Sequence, residues 1–469
     1  MADALKLPFA GEEIIRRVSA GNNDPDWLLA DRLAGLAAYN ELPIETNPLF
    51  TLYVDLRAAH WAELDPYLET GDATQVSDVV PEGAAALIEI AEDRVVARGL
   101  SAEAREAGVV LDTFANVMRD RPQLVKGLVD GAAHLPDSDK FAQFARSHYA
   151  LGLLIHVPRN VVLERPIVVR WSAGRPGRAL VSRSVIHIGE NAHARILEEQ
   201  VPSEAHDAAS EAQSMWWGTS EVSLDQGAQL SFAGQQDFGA HTLVFINRHA
   251  TLGQDAQLRW ALASVGGELH KSRIDNRLVG RGSGVNQAEI VFGDGRQLAD
   301  LTSYTRHIGH DTTGDLLSKG VFIDRARGYF KGMITIDRSA KGTDSFLGEF
   351  AMLLTKQARS VTIPSLEIDQ PDVRRASHSS SVGPIDEDEI FYLMSRGIPR
   401  DVARKFIPML EARVLHFPSV FPSDISPPSY HADLQLFIVA SAPASWQLQG
   451  QGFTHENGWV LYVQDVFRP

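Results

Sequence analysis

The sequence predicts a mainly β protein in which a right-handed parallel β-helix lies between an N-terminal helical region and a short C-terminal helical region. Three observations favour this fold class. Apolar residues alternate along the chain from Asn160 onward, instead of recurring at helical spacing. Turns of one style, a small or polar residue followed by Ala and an alternating run, return at intervals of tens of residues. Hairpin signals are sparse in this region, and an antiparallel sandwich is the alternative that periodicity leaves open.

The first part of the chain, residues 1–158, predicts an α-rich domain. In 25–39 the apolar residues follow helical spacing, and Asp24 stands where an N-cap is expected. The change from helical to alternating spacing places a domain boundary near Pro158. Further helical patterns cover 82–95, 111–118 and 140–149.

Residues 159–384 predict the β-helix core. In its first strand Ile167, Val169 and Trp171 share one face. The repeated turns include GENAHARI from Gly189 and GQDAQLRW from Gly253. Each turn of a solenoid buries its apolar face only against its neighbours, which is why such a repeat indicates one. The predicted strands are 185–188, 194–197, 222–224, 230–233, 243–246, 258–262, 288–292, 320–323, 333–336 and 361–363.

The C-terminal part predicts a helical region, 385–415, and a tail of different character, 416–469. Asp386 and Glu389 form a capping box that begins a helix, and Arg396 with Gly397 gives the stop signal. A second helix is expected over 400–407, before Pro408. In the tail, strands are predicted over 434–440, 446–453 and 459–466, with a turn at Asn457-Gly458 between the last two. The tail is expected to be either a small β appendage or a terminus produced by a shifted reading frame.

Composition limits the functions that this chain can have. Its 469 residues carry a formal net charge of −16, which argues against nucleic acid and anionic membranes as partners. The chain has no cysteine, which excludes disulfides, thiolate-bound zinc and persulfide chemistry on its own residues. The N-terminus lacks the apolar core of a signal peptide, so a cytoplasmic location is expected.

The most informative stretch is residues 363–398, which contains LEI, DV, ASH, VG and IDEDEIFYLMSRGI in that order. These motifs resemble the SufB/SufD family of iron–sulfur cluster assembly scaffolds, as does the opening DPDWLLADRLAG from Asp24. The resemblance covers about 20–405. It implies a parallel β-helix between helical ends, a SufB-type paralogue as partner in a heterodimer, and a SufC ATPase that docks on the C-terminal helices.

His378 is the first candidate site residue, and the sequence predicts that it lies in a polar, Ser-rich loop. An accessible imidazole can bind iron, although a lone loop histidine is often only solvated. The resemblance implies a role for His378 at the interface with SufB, where the cluster is thought to be built. Ala376 stands where many relatives have Cys, and Ala358 falls on the position of the sulfur-accepting cysteine of SufB. The sequence is therefore similar to the SufD branch.

A second group of candidates lies in ADLTSYTRHIGHDTTGD, with Asp300, His307, His310 and Asp311. His307 and His310 are three residues apart and would point to opposite faces of a strand, which argues against a simple two-His site. Asp300, His307 and Lys319 fall on family positions. They are expected to be either structural hydrogen-bonding residues of the solenoid or functional residues.

The chain has no phosphate-binding loop of the GxxxxGK[ST] type, so ATP hydrolysis would belong to SufC. The docking surface for SufC is predicted on the helix after Asp386, and its residues are Ile390, Phe391, Leu393, Met394 and Arg396. The alternative is that these residues pack against the end of the solenoid.

The resulting prediction is a non-enzymatic, SufD-like scaffold subunit. A transient iron–sulfur cluster would form at a subunit interface, some family complexes bind reduced flavin, and no cofactor is expected to bind tightly to this chain alone. Two alternatives are a β-solenoid that binds or cleaves polysaccharide and a purely structural homodimer.

Overall fold

The computed structural model describes residues 5, 7–131, 135–136, 138–397, 399–400, 416–418, 433–439, 452–454 and 460–465. The protein is mainly β, with a parallel β-solenoid of about eight turns and helices at the N-terminus, which confirms the predicted fold class. None of the described helices is long and apolar enough to cross a membrane. Two short 3₁₀ turns, Thr51–Tyr53 and Trp61–Glu63, accompany the helices, which are α1 (Glu12–Gly21), α2 (Asp26–Glu41), α3 (Ala102–Glu106), α4 (Phe114–Asp120), α5 (Pro122–Gly131), α6 (Lys140–His148) and α7 (Glu387–Ser395).

The solenoid consists of two sheets, and from β6 onward the chain alternates between them. Sheet A contains β1 (Asp65–Pro66), β5 (Val110–Thr113), β6 (Leu151–Val157), β8 (Arg178–Ile188), β10 (Ser214–Leu224), β12 (Thr242–Leu252), β14 (Leu269–Leu278), β16 (Leu298–His307), β18 (Arg327–Ile336) and β20 (Arg359–Ile368). Sheet B contains β2 (Gly71–Ser77), β3 (Ala86–Ala91), β4 (Arg94–Leu100), β7 (Ile167–Ala173), β9 (His193–Pro202), β11 (Gln229–Gln236), β13 (Gln257–Ser264), β15 (Gly284–Gly293), β17 (Thr313–Phe322), β19 (Asp344–Leu353) and β21 (Arg375–Pro384).

Successive turns of the solenoid stack in register, so that side chains of one kind form columns. Leu224 pairs with Leu252 and Leu252 with Leu278 on three consecutive strands of sheet A, and all three are buried in the interior. The corners between strands require a left-handed backbone, which Asn, Asp and Gly adopt most readily. This conformation occurs at Asn191 with φ 55° and at Asp255 with φ 56°. The repeated turn in the sequence is thus the corner that each coil needs.

The N-terminal helices cover the outer face of sheet A. Phe144 of α6 lies 4.4 Å from Trp217 between ring centroids, and Trp217 stacks on Phe245 at 4.5 Å. These rings belong to a second hydrophobic core, separate from the one inside the solenoid. Sheet A is therefore buried on both faces over much of its length, as parallel sheets usually are.

Several local predictions for the N-terminal part need correction. The segment 82–95 is not a helix, because β3 and β4 form an antiparallel hairpin there. The segment 111–118 is divided between strand β5 and helix α4, which begins after its cap Thr113. Asp24 does not cap α2. The cap position is Pro25, and Asp24 instead forms an ion pair with Arg32 at 2.7 Å.

The helices predicted over 25–39 and 140–149 are confirmed as α2 and α6. The polar loop predicted around His378 is wrong, because these residues form strand β21. The second C-terminal helix, 400–407, lies outside the described residues apart from its first position. In the tail, four strands form an antiparallel sheet in the order β22, β23, β25 and β24, with bounds His416–Pro418, Asp433–Val439, Val460–Asp465 and Gly452–Thr454.

Candidate functional site

The last coil of the solenoid, made of β20 and β21, has one unpaired edge on each strand among the described residues. β20 pairs only with β18, and β21 pairs only with β19. His378 of β21 is exposed. Its partner in register is Leu347, a fully buried residue of the solenoid interior. His378 therefore occupies an interior column that is open to solvent because no further coil covers it among these residues.

Glu349 lies beneath this open end and was missed at the level of the sequence. It follows Leu347 by two residues on β19, so it shares the interior face, and it is 1% exposed. Its carboxylate accepts a hydrogen bond of 3.0 Å from the backbone N–H of Ile363. Burial raises the pKa of Glu349 to about 7, against the weaker opposite effect of that hydrogen bond.

The local sequence makes room for this carboxyl group. Gly332 lies on β18, where an added Cβ would stand 2.7 Å from Oε1 of Glu349. A larger residue at Gly332 would thus displace the carboxyl group. The signal available in the sequence was a glutamate at an inward position of an alternating apolar strand. The open end consequently combines an imidazole with a carboxyl group that can change its protonation near neutral pH.

Asp300 has a structural environment on the outer face of sheet A. Its carboxylate lies 3.0 Å from Nζ of Lys271 and 2.6 Å from Nζ of Lys331. Burial alone would raise the pKa of Asp300, but the two ammonium groups hold it below its ordinary value. All three side chains are almost completely buried. The arrangement supports the structural alternative for Asp300.

His307 lies on the opposite side of the same strand, in the solenoid interior. Its Nδ1 is 2.8 Å from Oγ1 of Thr312, and its Nε2 is 3.0 Å from Oγ of Ser345. Burial lowers the pKa of His307 to about 4. Both ring nitrogens are thus used in hydrogen bonds. Asp300 and His307 are not brought together.

The remaining residues of that motif lie apart from one another. His310 is exposed in the turn after β16, where its carbonyl oxygen accepts a hydrogen bond from the N–H of Gly282. Asp311 pairs with Arg374 at 2.7 Å. Lys319 is half-buried on β17. These positions do not form a common ligand set with Asp300 and His307.

Ala358 is completely buried in a small apolar cluster with Phe322, Ala326 and Phe330. This is the position where the resemblance to SufB would place the sulfur-accepting cysteine. A methyl group in this packing can neither hold a persulfide nor bind iron.

Helix α7 divides the predicted docking residues into two groups. The carboxylate of Asp386 accepts a hydrogen bond from the N–H of Asp388 at 2.8 Å, which supports the predicted helix start. Ile390 is fully buried against Leu354 and Ile385, so it packs on the end of the solenoid instead of forming part of a free surface.

The other described members of that set are exposed. Phe391 is 71% and Met394 is 40% exposed. The guanidinium of Arg396 lies 4.9 Å from the ring centroid of Tyr392, and the side chain of Leu393 lies outside the described residues. The exposed face of α7 is defined here as Phe391, Tyr392 and Met394.

A buried charge cluster joins α6 to sheet A. It has no local signature in the sequence, because its members are far apart along the chain. Asp139, His249 and Asp275 converge. Nε2 and Nδ1 of His249 lie 3.4 Å and 3.1 Å from carboxylate oxygens of Asp139 and Asp275. Nε of Arg273 lies 2.7 Å from Asp275. The carboxylate of Asp139 also caps α6. Arg273 thus already supplies a cation, and the cluster serves to hold α6 on the sheet.

This cluster leads to a prediction about stability. Burial alone would lower the pKa of His249, but its two carboxylate partners raise it to about 9 from 6.5. The stabilisation from the charged form of His249 is therefore complete below pH 6.5 and is lost as the pH rises through 9. The free energy of unfolding should fall by about 3 kcal/mol over this range, because each pKa unit corresponds to about 1.4 kcal/mol. The free energies of unfolding of the wild type and of His249→Asn should converge between pH 6 and 9. Parallel pH profiles would contradict this role.

Comparisons with known proteins identify the family of this chain. The family profile described as "SUF system FeS cluster assembly, SufBD core domain" matches residues 170–409, about half of the chain. The iron–sulfur cluster assembly protein SufD of Bacillus subtilis is 25% identical over 407 residues, which cover 84% of this chain and 91% of that protein. A SufBD family protein of Staphylococcus haemolyticus is 23% identical over 422 residues, covering 85% of this chain and 87% of the relative. The chain therefore belongs to the SufBD family of iron–sulfur cluster assembly proteins.

Proposed function

We infer that this chain is a SufD-like, non-enzymatic scaffold subunit that pairs with a SufB-type chain and binds the SufC ATPase. The observation that carries the proposal is the open last coil, where His378 stands beside two strand edges that are unpaired among the described residues, in a chain without cysteine. Membership of the SufBD family supports a role in iron–sulfur cluster assembly. The open last coil favours a partner chain at this end of the solenoid.

Pairing would use the strand edges of β20 and β21. Unpaired backbone N–H and C=O groups on an edge are a template for strands of another chain. These edges belong to ten-residue strands, which is long enough for extended pairing. A partner docked there would cover the column that contains His378 and would enclose Glu349 beneath it.

A transient iron–sulfur cluster at this interface would then draw its ligands from both chains. Sulfur and thiolate ligands would come from the partner, because this chain has no cysteine. His378 would supply one imidazole nitrogen, a ligand suited to iron. Any reduced flavin would be bound by the complex and not by this chain alone.

SufC would dock on the exposed face of α7. Two large apolar side chains, Phe391 and Met394, lie open to solvent there, whereas Ile390 anchors the helix on the solenoid. Apolar groups exposed beside a rigid anchor are typical of protein interaction sites. This location would leave the edges of β20 and β21 free for SufB.

Co-expression of the full chain with a SufB-type chain and SufC tests both contacts. The wild type should co-purify with each partner. The double variant Phe391→Ser/Met394→Ser should lose at least about tenfold in affinity for SufC, since hot-spot side chains contribute about 2 kcal/mol or more, while it keeps SufB. The matched control is Leu52→Ser, because Leu52 is an exposed apolar residue outside α7.

The outcomes separate the parts of the proposal. If the chain forms no complex in the presence of both partners, the assignment as a scaffold subunit is wrong. If the double variant keeps full affinity for SufC, docking on α7 is wrong while pairing with SufB can still stand.

A further inference from the structure

Two histidines lie side by side on neighbouring strands of sheet A, far along the chain from His378. His156 of β6 and His187 of β8 are partners in register. Their Nδ1 atoms are 3.0 Å apart, their ring centroids are 5.1 Å apart, and their ring planes differ by 21°. Both project from the outer face, because their neighbours Ile155 and Ile186 belong to the solenoid interior.

A carboxylate determines which ring nitrogen of neutral His187 carries the proton. Nε2 of His187 lies 3.1 Å from Oδ2 of Asp225, which follows the end of β10. A carboxylate accepts a hydrogen bond, so the proton of neutral His187 lies on Nε2. Nδ1 of His187 is then left with a free lone pair that points toward His156. Histidines that bind metal ions commonly have this arrangement, in which a carboxylate accepts a hydrogen bond from one ring nitrogen and orients the other nitrogen toward the ion.

His156 completes the pair, because its Nδ1 lies within hydrogen-bond distance of Nδ1 of His187. In the metal-free protein its Nδ1–H can donate to Nδ1 of His187. A move of that proton to Nε2 of His156 would leave both Nδ1 lone pairs free for a cation, and no proton would be released.

The distances suit a small divalent ion. Two nitrogens bound to tetrahedral zinc at about 2.0–2.1 Å lie about 3.3 Å from each other. The two Nδ1 atoms are already 3.0 Å apart, so a small rotation of the side chains is sufficient. The side chain of His187 is 13% exposed and that of Asp225 is 47% exposed, which gives an ion access and leaves room for water as further ligands.

We propose that His156 and His187, oriented by Asp225, form a binding site for a divalent transition-metal ion such as Zn²⁺ or Ni²⁺ on the outer face of sheet A. Imidazole nitrogens favour these ions. The proposal does not rest on the function proposed above, because it uses neither His378 nor any partner chain.

The site differs from the buried cluster of Asp139, His249 and Asp275. There a guanidinium lies among the carboxylates. At the histidine pair the carboxylate of Asp225 contacts the nitrogen facing away from the shared position. Arg121 lies at the C-terminal end of α4. The two rings are therefore the groups available to a metal ion.

Calorimetric titration of the metal-free full chain with Zn²⁺ tests the proposal. One ion should bind at this site. His156→Ala and His187→Ala should each lower the affinity of that site at least tenfold, and Asp225→Asn should lower it about 10–100-fold, the usual effect of losing the partner of a ligating histidine. His310→Ala, which removes an exposed histidine from a turn elsewhere, should leave the titration unchanged and serves as the matched control.

Thermal unfolding with and without Zn²⁺ gives a second readout, because an ion that binds only the folded state raises its midpoint. The rise should be lost in His187→Asn, which covers the case in which an alanine variant fails to fold. Identical stoichiometry, affinity and thermal shift in the wild type, His156→Ala and His187→Asn would overturn the proposal.

Discussion

Replacing Asp300 with alanine is expected to lower the free energy of unfolding by about 3–5 kcal/mol, the usual effect of leaving buried charges without their partner. The carboxylate of Asp300 neutralises two ammonium groups, those of Lys271 and Lys331, on three neighbouring strands of sheet A. All three groups are buried, so water cannot replace the missing carboxylate. Chemical denaturation of the purified chain measures this loss.

Two variants make this test specific. Asp315→Ala removes an exposed carboxylate from the neighbouring sheet and should change the stability by no more than about 0.5 kcal/mol. The triple variant Asp300→Leu/Lys271→Met/Lys331→Met replaces the whole network by apolar groups and should recover much of the loss. A stable Asp300→Ala chain with reduced cluster assembly would instead favour a functional role.

The strands that could be predicted from the sequence are those with an apolar interior face. β12 contains a continuous apolar run over 243–246, β13 carries alternating apolar residues, and both predicted segments lie within the observed strands. β14 and β16 gave no such signal, because their polar residues are buried in pairs. Asn276 bonds to Gln287, and Lys271 bonds to Asp300. Pairing between different strands removes the cost of burying these groups, but it is invisible in a local window of sequence.

The hairpin of β3 and β4 shows how tertiary pairing overrides local preference. Its Ala- and Glu-rich sequence favours a helix. β3 instead pairs in parallel with β7, so that Ile88 lies opposite Val169, and both are buried in the solenoid. The partner strand is about 80 residues away, which no local pattern reports.

The candidate site was predicted in part. Family motifs indicate His378 as a site residue, but the run of serines around it predicts a loop. Register with β19 makes it a strand, because backbone pairing does not depend on side-chain polarity. Glu349 was missed, since its importance comes from the position of His378 one coil further on. A site formed by two coils depends on which residues of their strands pair in register. A local sequence pattern does not predict that pairing.

Replacing His378 with alanine in the assembled complex is expected to reduce the amount of iron–sulfur cluster formed by about tenfold or more. Loss of a residue that only supports a metal ligand costs about 10–100-fold, and loss of a direct ligand should cost at least as much. The stability of the chain should change by no more than about 0.5 kcal/mol, because the side chain is exposed on the last strand.

Cluster yield measured by absorbance and by iron and sulfide content tests the role of His378, with Ser379→Ala as the matched control on the same exposed strand. Co-purification of the His378→Ala chain with its partners is needed alongside, because a lost complex would also lower the yield. The expected result is an intact complex with little cluster. An intact complex with the normal amount of cluster would remove His378 from the mechanism. The open end above Glu349 would then lack the ligand that is proposed for it.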